Sequence, residues 1–295
     1  MGYKDTSFQK TRSIQVGKNI LNFSRPKIMG ILNLTPDSFY DGGRYFNEEL
    51  WITQTHKMIT EGADIIDLGA FSSRPGAEMV SSAEETERLL IPLKILKKEF
   101  PDVIFSIDTF RSEVAKTCVD SGADIINDIS GGNMDSNMFS TVADLKVPYI
   151  LMHMHGTPQD MQTHPISENI TEKVRTFFER KVNELHDAGI EEIILDPGFG
   201  FGKTLECNYR LLAGMDQTRI NNLPLLAGVS RKSMINKVLE TKPEEALNGT
   251  TVMNTLALLK GADILRVHDV KQAKEAIELT SFYKIHRDET GSKNC

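Results

Sequence analysis

The sequence has few of the features that mark secreted, membrane-spanning or nucleic-acid-binding proteins. Only three of its 295 residues are cysteines, and none forms a Cys-x-x-Cys pair, which disfavours a disulfide framework or a structural zinc site. No run approaches the ~18 consecutive apolar residues of a membrane span, so we expect no membrane contact. Asp and Glu outnumber Lys and Arg by 41 to 34. Nucleic-acid-binding surfaces are basic, so we expect no nucleic-acid partner.

The remaining composition favours a folded protein of the cytoplasm. Hydrophobic residues make up 40% of the chain and charged residues 25%, as in ordinary globular enzymes. The first residues contain no apolar signal run, and the scarcity of cysteine fits a reducing compartment.

A short repeat is the first sign of the fold. The pattern Gly-Ala-Asp-Ile-Ile/Leu occurs at residues 62–66, 122–126 and 261–265, each time after a helical pattern and at the start of an apolar run. Glycine is favoured just after a helix, and a continuous Ile/Leu/Val run is typical of a strand buried in a parallel sheet. The repeat therefore predicts successive helix–strand units.

Eight apolar runs predict strands, and helical patterns lie between them. The strands are expected at residues 27–34, 63–69, 103–108, 123–129, 147–154, 191–196, 223–229 and 262–267, and the clearest helices at 82–100, 170–188, 243–260 and 271–286. This alternation predicts an α/β protein, a (β/α)8 TIM barrel over about residues 25–287. A doubly wound open sheet is the alternative. Residues 12–24 predict a short N-terminal β-hairpin that closes the bottom of the barrel, so we expect one domain, 1–295.

Polar side chains collect where these strands end, which is where barrel enzymes carry their chemistry. Asp108, Asn127 and Asp196, with Lys232, are groups that hydrogen-bond a flat heterocycle. A carboxylate accepts two parallel N–H bonds from an aminopyrimidine edge, an amide both donates and accepts, and a lysine donates to a ring carbonyl.

A second group of strand-end residues has the chemistry of an anion site. Arg74, Arg266 and His268 are joined there by Asn33. Arginine matches the geometry of phosphate, and the start of a helix after the last strand adds backbone donors. Together the two groups predict a heterocycle linked to a phosphate-like group.

Several other residues have simpler explanations. Asp128 and Asp135 are expected to cap helices. His153 and His155 are two apart on a strand and so face one way, as metal ligands would, but no third ligand is identifiable and a structural role is favoured. The glycine-rich residues 198–204 match neither the P-loop nor the dinucleotide-binding spacing. Cys118 has apolar neighbours and no adjacent histidine, which disfavours a thiol nucleophile.

Taken together, the motifs resemble those of dihydropteroate synthase, a family of pterin-binding TIM barrels. The matching segments run in order along nearly the whole chain, at residues 28–39, 73–76, 106–109, 127–131, 151–154, 196–203, 230–233 and 266–269. The resemblance implies a cytoplasmic, homodimeric transferase of folate biosynthesis that uses Mg²⁺ and is a target of sulfonamides. It would condense 7,8-dihydropterin-6-ylmethyl diphosphate with 4-aminobenzoate to give 7,8-dihydropteroate and diphosphate.

The resemblance also implies roles for individual residues. The catalytic residues would be Asp108, Lys232, Arg266 and His268. The pterin pocket would comprise Asp108, Asn127, Asp196 and Lys232, with Ile129, Met152, Phe201 and Gly228 as walls. Diphosphate would contact Asn33, Arg74, Arg266 and His268, and Asn33 would be the Mg²⁺ ligand. 4-Aminobenzoate would contact Ser73, Arg74, Pro75, Phe201, Lys232 and Ser233.

One position departs from the family, and two alternative functions stay open. Ser73 stands where the family usually has threonine, which removes a methyl group beside the benzoate. A barrel like the methyltetrahydrofolate:corrinoid methyltransferases would share the pterin-pocket carboxylates but has no reason to keep the anion site. A non-catalytic pterin-binding barrel would lack a working one.

Overall fold

An antiparallel hairpin opens the described part of the chain. The computed structural model describes residues 12–34, 44–70 and 80–291. Strands β1 (Ser13–Val16) and β2 (Asn19–Asn22) pair across a turn in which Gly17 has a φ of +56°, a conformation that glycine adopts without steric cost. The hairpin buries Ile14, Val16 and Leu21, as the alternation of apolar and polar residues predicts.

Eight parallel strands follow and close into a barrel. They are β3 (Lys27–Asn33), β4 (Ile65–Gly69), β5 (Ile104–Asp108), β6 (Ile125–Asp128), β7 (Tyr149–Met152), β8 (Ile193–Asp196), β9 (Leu226–Ala227) and β10 (Ile264–Val267). Strands β3 to β8 pair in chain order, and β10 pairs with both β3 and β9. A bridge between Leu195 and Leu225 joins β8 to the segment before β9 and completes the circle. The (β/α)8 prediction is confirmed, and the open doubly wound sheet is wrong.

Helices surround the barrel. They are α1 (Arg44–Glu61), α2 (Ser82–Glu99), α3 (Ser112–Val119), α4 (Met138–Leu145), α5 (Ile170–Asp187), α6 (Leu205–Ala213), α7 (Ser233–Leu239), α8 (Leu247–Leu259) and α9 (Val270–Gly291). The predicted helix at 243–260 is divided, because Pro243–Glu245 forms a 3₁₀ turn before α8 begins. None of the helices in the described ranges has both the length and the apolar character needed to cross a membrane.

Three layers of side chains fill the barrel, because every second residue of a strand faces inward. The lower layer is apolar and packs on the hairpin; it contains Met29, Ile65, Ile125, Ile150, Ile194, Leu226 and Ile264. Two positions further along the strands comes a mostly polar middle layer with Asp67, Ser106, Asn127, Met152, Asp196 and Arg266. The upper layer, two positions further again, contains Asn33, Asp108, Ile129, Ser230 and His268. The hairpin thus closes one end, and the polar residues lie towards the other.

Candidate active site

An ion-pair cluster centred on Arg266 lies in the middle of the predicted site. From β10, its Nε lies 2.6 Å from Oδ2 of Asp67 on β4, and its Nη2 lies 2.7 Å from Oδ2 of Asp108 on β5. The structure thus brings together a residue predicted for the anion site and one predicted for the heterocycle site. The two halves of the predicted site are neighbours.

Asp67 is the member of this cluster that the sequence analysis missed. Its side chain is completely buried, and its Oδ2 also accepts a hydrogen bond of 3.2 Å from Nδ2 of Asn127. Asp67 lies inside the apolar run of β4, whereas the site residues were predicted from the ends of the strands. A carboxylate at an inward-facing position of an otherwise apolar strand was the signal that could have found it.

The electrostatics of Asp108 are dominated by burial. Loss of hydration raises the pKa of this carboxyl group to about 7; Arg266 opposes the rise, while the charges of Asp67, Glu85 and Asp128 add to it. Its Oδ1, like Oδ1 of Asp67, is buried and has no hydrogen-bond partner within the described residues. A buried acceptor without a donor is costly, so Oδ1 of Asp108, which lies nearer the barrel mouth than Asp67, is suited to an N–H group of a ligand.

Asp196 and Lys232 form the opposite side of the site. Burial raises the pKa of Asp196, which Lys232 counteracts, and its Oδ1 accepts a 2.8 Å hydrogen bond from the Gly198 N–H. Burial lowers the pKa of Lys232 to about 8, with Asp196 opposing the change. The Lys232 ammonium group donates to the carbonyl of Phe199 and lies 4.6 Å from the centre of the Phe201 ring.

Apolar residues form a wall beside these charges. Ile129, Met152 and Phe201, all predicted as walls, belong to one buried cluster with Phe110, Met154 and Met161. Gly228 leaves room where Lys232 and Arg266 approach, since a Cβ there would lie 3.9 Å from Lys232 Nζ and 4.0 Å from Arg266 Cβ. Polar groups thus alternate with flat apolar surface, as recognition of a heterocycle requires.

The remaining predicted residues lie at the barrel mouth or outside the described part. Asn33 ends β3 and is exposed, and a Cβ at Gly69 would lie 3.8 Å from its Oδ1 and 3.9 Å from Oδ2 of Asp108. Ser233 is the exposed first residue of α7. Ser73, Arg74 and Pro75 fall outside the described residues.

His268 is held by a serine that the prediction did not assign to the site. Ser230 Oγ lies 3.0 Å from Nδ1 of His268 and accepts a 3.2 Å hydrogen bond from its backbone N–H. Nearby, Arg231 makes a two-point ion pair with Asp269, at 3.0 and 2.8 Å. Arg231 therefore anchors the loop that carries Lys232.

The glycine-rich residues 198–204 form a clasp around a buried lysine. Lys203 Nζ donates to the carbonyls of Gly198, Phe201 and His153, at 2.7, 3.0 and 3.2 Å. Burial lowers the pKa of this lysine to about 7. The glycines permit the close approach, since a Cβ at Gly198 would lie only 2.0 Å from the His153 carbonyl oxygen.

Most of the residues given simpler explanations have structural roles, although not always the expected ones. Asp128 shapes the turn after β6 and caps no helix: it accepts from Ser130 N, Gly132 N and the Tyr149 hydroxyl. Asp135 accepts a 2.7 Å hydrogen bond from the N–H of Ser112, the first residue of α3.

His153 and His155, predicted on a strand, both follow the end of β7 and do not share one environment. His153 is buried edge-on against the Phe177 ring, whereas His155 is exposed. Burial holds the pKa of His153 well below its ordinary value. Among the residues that the structure covers, no group of three or more His, Cys, Asp or Glu side chains is arranged to hold a metal ion.

Comparisons with known proteins agree with this arrangement. The family model for pterin binding enzymes matches residues 29–268. The dihydropteroate synthase of Haemophilus influenzae is 40% identical over 261 residues, which cover 88% of this chain and 94% of that protein. The structure of the Yersinia pestis dihydropteroate synthase with a sulfonamide drug has a TM-score of 0.86 at 38% identity, covering 92% and 99% of the two chains. The Xanthomonas albilineans dihydropteroate synthase with 4-aminobenzoic acid has a TM-score of 0.86 at 35% identity, covering 93% and 99%.

Proposed function

Since the chain belongs to the dihydropteroate synthase family and is a transferase of folate biosynthesis, we propose that the residues around Arg266 bind its pterin substrate and the departing diphosphate. The observation that carries this proposal is the convergence of Asp108, Asn127 and Asp196 from three strands beside an apolar wall. Three inward-facing hydrogen-bonding groups next to flat apolar side chains fit the edge and faces of a bicyclic ring.

The pterin is recognised through its hydrogen-bonding edge. Asp196 accepts from the amino-pyrimidine N–H groups, and Asn127 offers both a donor and an acceptor. Lys232, next to Asp196, donates to the ring carbonyl. Ile129, Met152 and Phe201 cover the ring faces, while Gly228 leaves space for the ring to approach Arg266.

The diphosphate lies towards Arg266 and His268, at the level of the upper layer. A planar guanidinium group and an imidazole donor neutralise the charge that builds up on the departing oxygens. Arg74, between β4 and α2 in the sequence, is assigned to the same set. Helix α9 begins at Val270, two residues after His268, so its first backbone N–H groups are assigned to the same anion.

The donor set at the end of β3 fits a magnesium ion. Mg²⁺ prefers oxygen ligands and keeps most of its waters, so that one protein oxygen and the substrate's phosphates are enough. Asn33 offers an exposed amide oxygen beside Asp108. When bound there, the ion would neutralise diphosphate charge. Asn33 is therefore the residue that would hold it.

We assign 4-aminobenzoate to the side of the site formed by Phe201, Lys232 and Ser233. Phe201 and Lys232 are in contact, and Ser233 follows at the start of α7. The aromatic ring of 4-aminobenzoate fits the apolar surface of Phe201, and its carboxylate fits the cation of Lys232 and the hydroxyl group of Ser233. Ser73, Arg74 and Pro75, between β4 and α2 in the sequence, are assigned to it as well. We assign a sulfonamide to the same place, since the Yersinia pestis relative forms a complex with a sulfonamide drug and a sulfonamide resembles 4-aminobenzoate in shape and charge.

The chemistry is a dissociative substitution. The bond between the pterin methylene carbon and the diphosphate oxygen breaks, and its electron pair leaves with diphosphate. Asp108 offsets the positive charge that remains on the pterin. The amine nitrogen of 4-aminobenzoate then forms the new C–N bond and loses a proton to solvent. No enzyme nucleophile is needed; burial raises the pKa of Cys118 to about 12, which keeps it an unreactive thiol.

Exposed apolar residues on α8 and α9 support a homodimer. Leu279 and Phe282 on α9 are 73% and 66% exposed, and Val252, Leu256 and Leu259 on the adjacent helix α8 are exposed as well. Soluble monomers rarely expose large contiguous apolar surfaces. We assign this surface, the α8–α9 face, to a second copy of the chain. The buried free thiols Cys118 and Cys207 fit a reducing cytoplasm.

The direct test is incubation with the pterin diphosphate and 4-aminobenzoate, with and without Mg²⁺. We expect dihydropteroate and one diphosphate per turnover, and less of both without the metal. Pterin binding in calorimetry without any product would instead favour a non-catalytic pterin-binding barrel. Methyl transfer from methyltetrahydrofolate to a corrinoid acceptor, without release of diphosphate, would favour the corrinoid-dependent alternative.

A further inference from the structure

We propose that Asp67 is a positioning residue of the reaction, which holds Asn127 and Arg266 in one fixed arrangement through a single carboxylate oxygen. The inference rests on the proposed function, because that function assigns Asn127 to the pterin and Arg266 to the diphosphate. Asp67 would touch neither substrate. It would set the distance between the group that binds the ring and the group that receives the leaving charge.

The contacts of Asp67 reach both sides of the barrel interior. Its Oδ2 lies 2.6 Å from both Nε and Nη2 of Arg266, and 3.2 Å from Nδ2 of Asn127. Asn127 is on β6 and Arg266 on β10, and β4 lies between them in the sheet order with one strand on either side. One side chain therefore connects two functional residues that are not on neighbouring strands.

The geometry determines the orientation of Arg266. Nε donates a hydrogen bond to Oδ2 of Asp67, and Nη2 forms an ion pair with the same oxygen. These two contacts, with the hydrogen bond from Nη2 to Asp108, fix the plane of the guanidinium group. Asp108 contacts only Nη2, and in the proposed mechanism Asp108 must also face the pterin. Asp67 lies one layer deeper and is fully buried, so it can orient Arg266 without competing for the substrate.

The charge of Asp67 matters as much as its position. Arg266 is half-buried, and a guanidinium group with little hydration requires a carboxylate partner. With Asp67 neutralised, Arg266 would be drawn to Asp108, the carboxylate that is to offset the pterin cation. A displacement of ~1 Å in such a group can cost ~100-fold in rate.

These contacts predict a selective kinetic effect. Asp67 acts through Asn127 and Arg266, both of which are assigned to the pterin diphosphate. The groups assigned to 4-aminobenzoate include Phe201, Lys232 and Ser233, whereas the hydrogen bonds and ion pairs of Asp67 within the described residues go to Asn127 and Arg266. Its loss should therefore change the KM for one substrate and leave the other alone.

The experiment compares two Asp67 variants with a matched control in the full-length enzyme. Asp67→Asn keeps the shape and removes the charge, and Asp67→Glu keeps the charge and shifts it by one methylene group. The control is Asp263→Asn. Asp263 is also a buried aspartate between arginines, with Arg12 Nε at 3.1 Å and Arg219 Nη1 at 2.7 Å, but it lies at the hairpin end of the barrel.

We expect both Asp67 variants to raise the KM for the pterin diphosphate and to lower kcat, each by about 10-fold or more. The KM for 4-aminobenzoate should stay within about 2-fold of wild type. Asp263→Asn should lower the melting temperature and leave both KM values unchanged, since a purely structural aspartate alters only the amount of folded enzyme.

Failure of the inference and failure of the proposed function give different results. A wild-type chain that forms no dihydropteroate overturns the proposed function. A wild-type chain that forms it, with Asp67 variants whose KM for the pterin diphosphate is unchanged, overturns the positioning role. Asp67 variants that do not fold, beside a folded Asp263→Asn, also overturn it, because Asp67 would then act on stability alone.

Discussion

Ser230 and His268 are linked by two hydrogen bonds that involve one hydroxyl group. Ser230 Oγ accepts from the backbone N–H of His268 and lies 3.0 Å from its Nδ1. Because the oxygen is already an acceptor for the backbone, its own proton can point to the ring. The other ring nitrogen, Nε2, then carries the hydrogen that faces the diphosphate.

The first prediction concerns this pair. Ser230→Ala removes the partner of Nδ1 and frees the ring to rotate or change tautomer. We expect kcat to fall by about 10-fold, because a misoriented His268 stabilises the charge on the departing diphosphate less well. The KM for 4-aminobenzoate should stay unchanged. Steady-state kinetics measure this. Ser140→Ala, which removes an exposed hydroxyl on α4, is the control; a Ser230→Ala enzyme as fast as this control would contradict the assignment.

A second prediction separates the two halves of the site. Asp196→Ala should weaken pterin binding by about 10-fold or more in calorimetry, because ring N–H groups lose an acceptor. Arg266→Ala should mainly lower kcat, because the charge on the leaving diphosphate is no longer neutralised. Near-wild-type rates and affinities in both variants would show that neither residue has the proposed role.

A third prediction follows from the pKa values of Asp108 and Lys232. Burial raises the pKa of Asp108 to about 7. The charge of Arg266 lowers this pKa, and the charges of Asp67, Glu85 and Asp128 raise it. Burial lowers the pKa of Lys232 to about 8. The reaction needs the carboxylate and the ammonium forms, so kcat/KM should rise with pH through about 7 and fall above about 8. Asp108→Asn should abolish the acidic limb, and a flat wild-type profile would be inconsistent with this assignment.

The same ionisation of Asp108 has a defined effect on stability. A folded-state pKa above the ordinary value of 3.8 means that the folded protein binds more protons than the unfolded chain between about pH 4 and pH 7. The contribution of Asp108 to the free energy of unfolding is therefore largest below about pH 4 and is lost as the pH rises through about 7. To measure this, the denaturation midpoint of Asp108→Asn is subtracted from that of wild type at each pH. The difference should fall as the pH rises from about 4 to about 7.

A fourth prediction concerns the clasp around Lys203. Lys203→Met keeps the length of the side chain and leaves three buried carbonyls without their donor. We expect a loss of about 1–3 kcal/mol in the free energy of unfolding, and a raised KM for 4-aminobenzoate because Phe201 is no longer fixed. Chemical denaturation and kinetics measure the two effects. Lys98→Met, at the exposed end of α2, should change neither.

A fifth prediction concerns the α8–α9 face. Phe282→Glu places a charge in the centre of the surface assigned to the second copy, where it would be buried without a partner. Sedimentation should then show monomers where wild type and Lys173→Glu, a charge change on α5, show dimers. A wild-type chain that sediments as a monomer would exclude the proposed assembly.

The barrel was predictable from the sequence because buried parallel strands are continuous apolar runs, and each of the eight expected runs contains an observed strand. The convergence of Asp108, Asn127 and Asp196 was predictable for a related reason, since parallel strands bring their carboxyl ends to one rim. Both conclusions use only the direction and period of the strands.

What the sequence did not reveal depends on three-dimensional partners. Asp67 lies within an apolar run, and its role requires knowing that Arg266, 199 residues away, faces the same interior. The sequence excluded a phosphate loop around Lys203 but assigned the lysine no other role, and only the folded chain shows that it binds the carbonyls of His153, Gly198 and Phe201. The start of α8 differs from the prediction because Pro243 favours a tight turn in which Lys242 N donates to the Glu245 side chain. Hydrophobic periodicity does not distinguish such a turn from the first turn of a helix.

The hairpin at the amino end has a consequence for the order of events. Ile14, Val16, Leu21 and Phe23 pack into the lower layer and cover that end of the barrel. We therefore expect both reactants to enter, and both products to leave, at the opposite end. If reactants and products use the same end of the barrel, the product that dissociates last delays substrate binding in the next catalytic cycle.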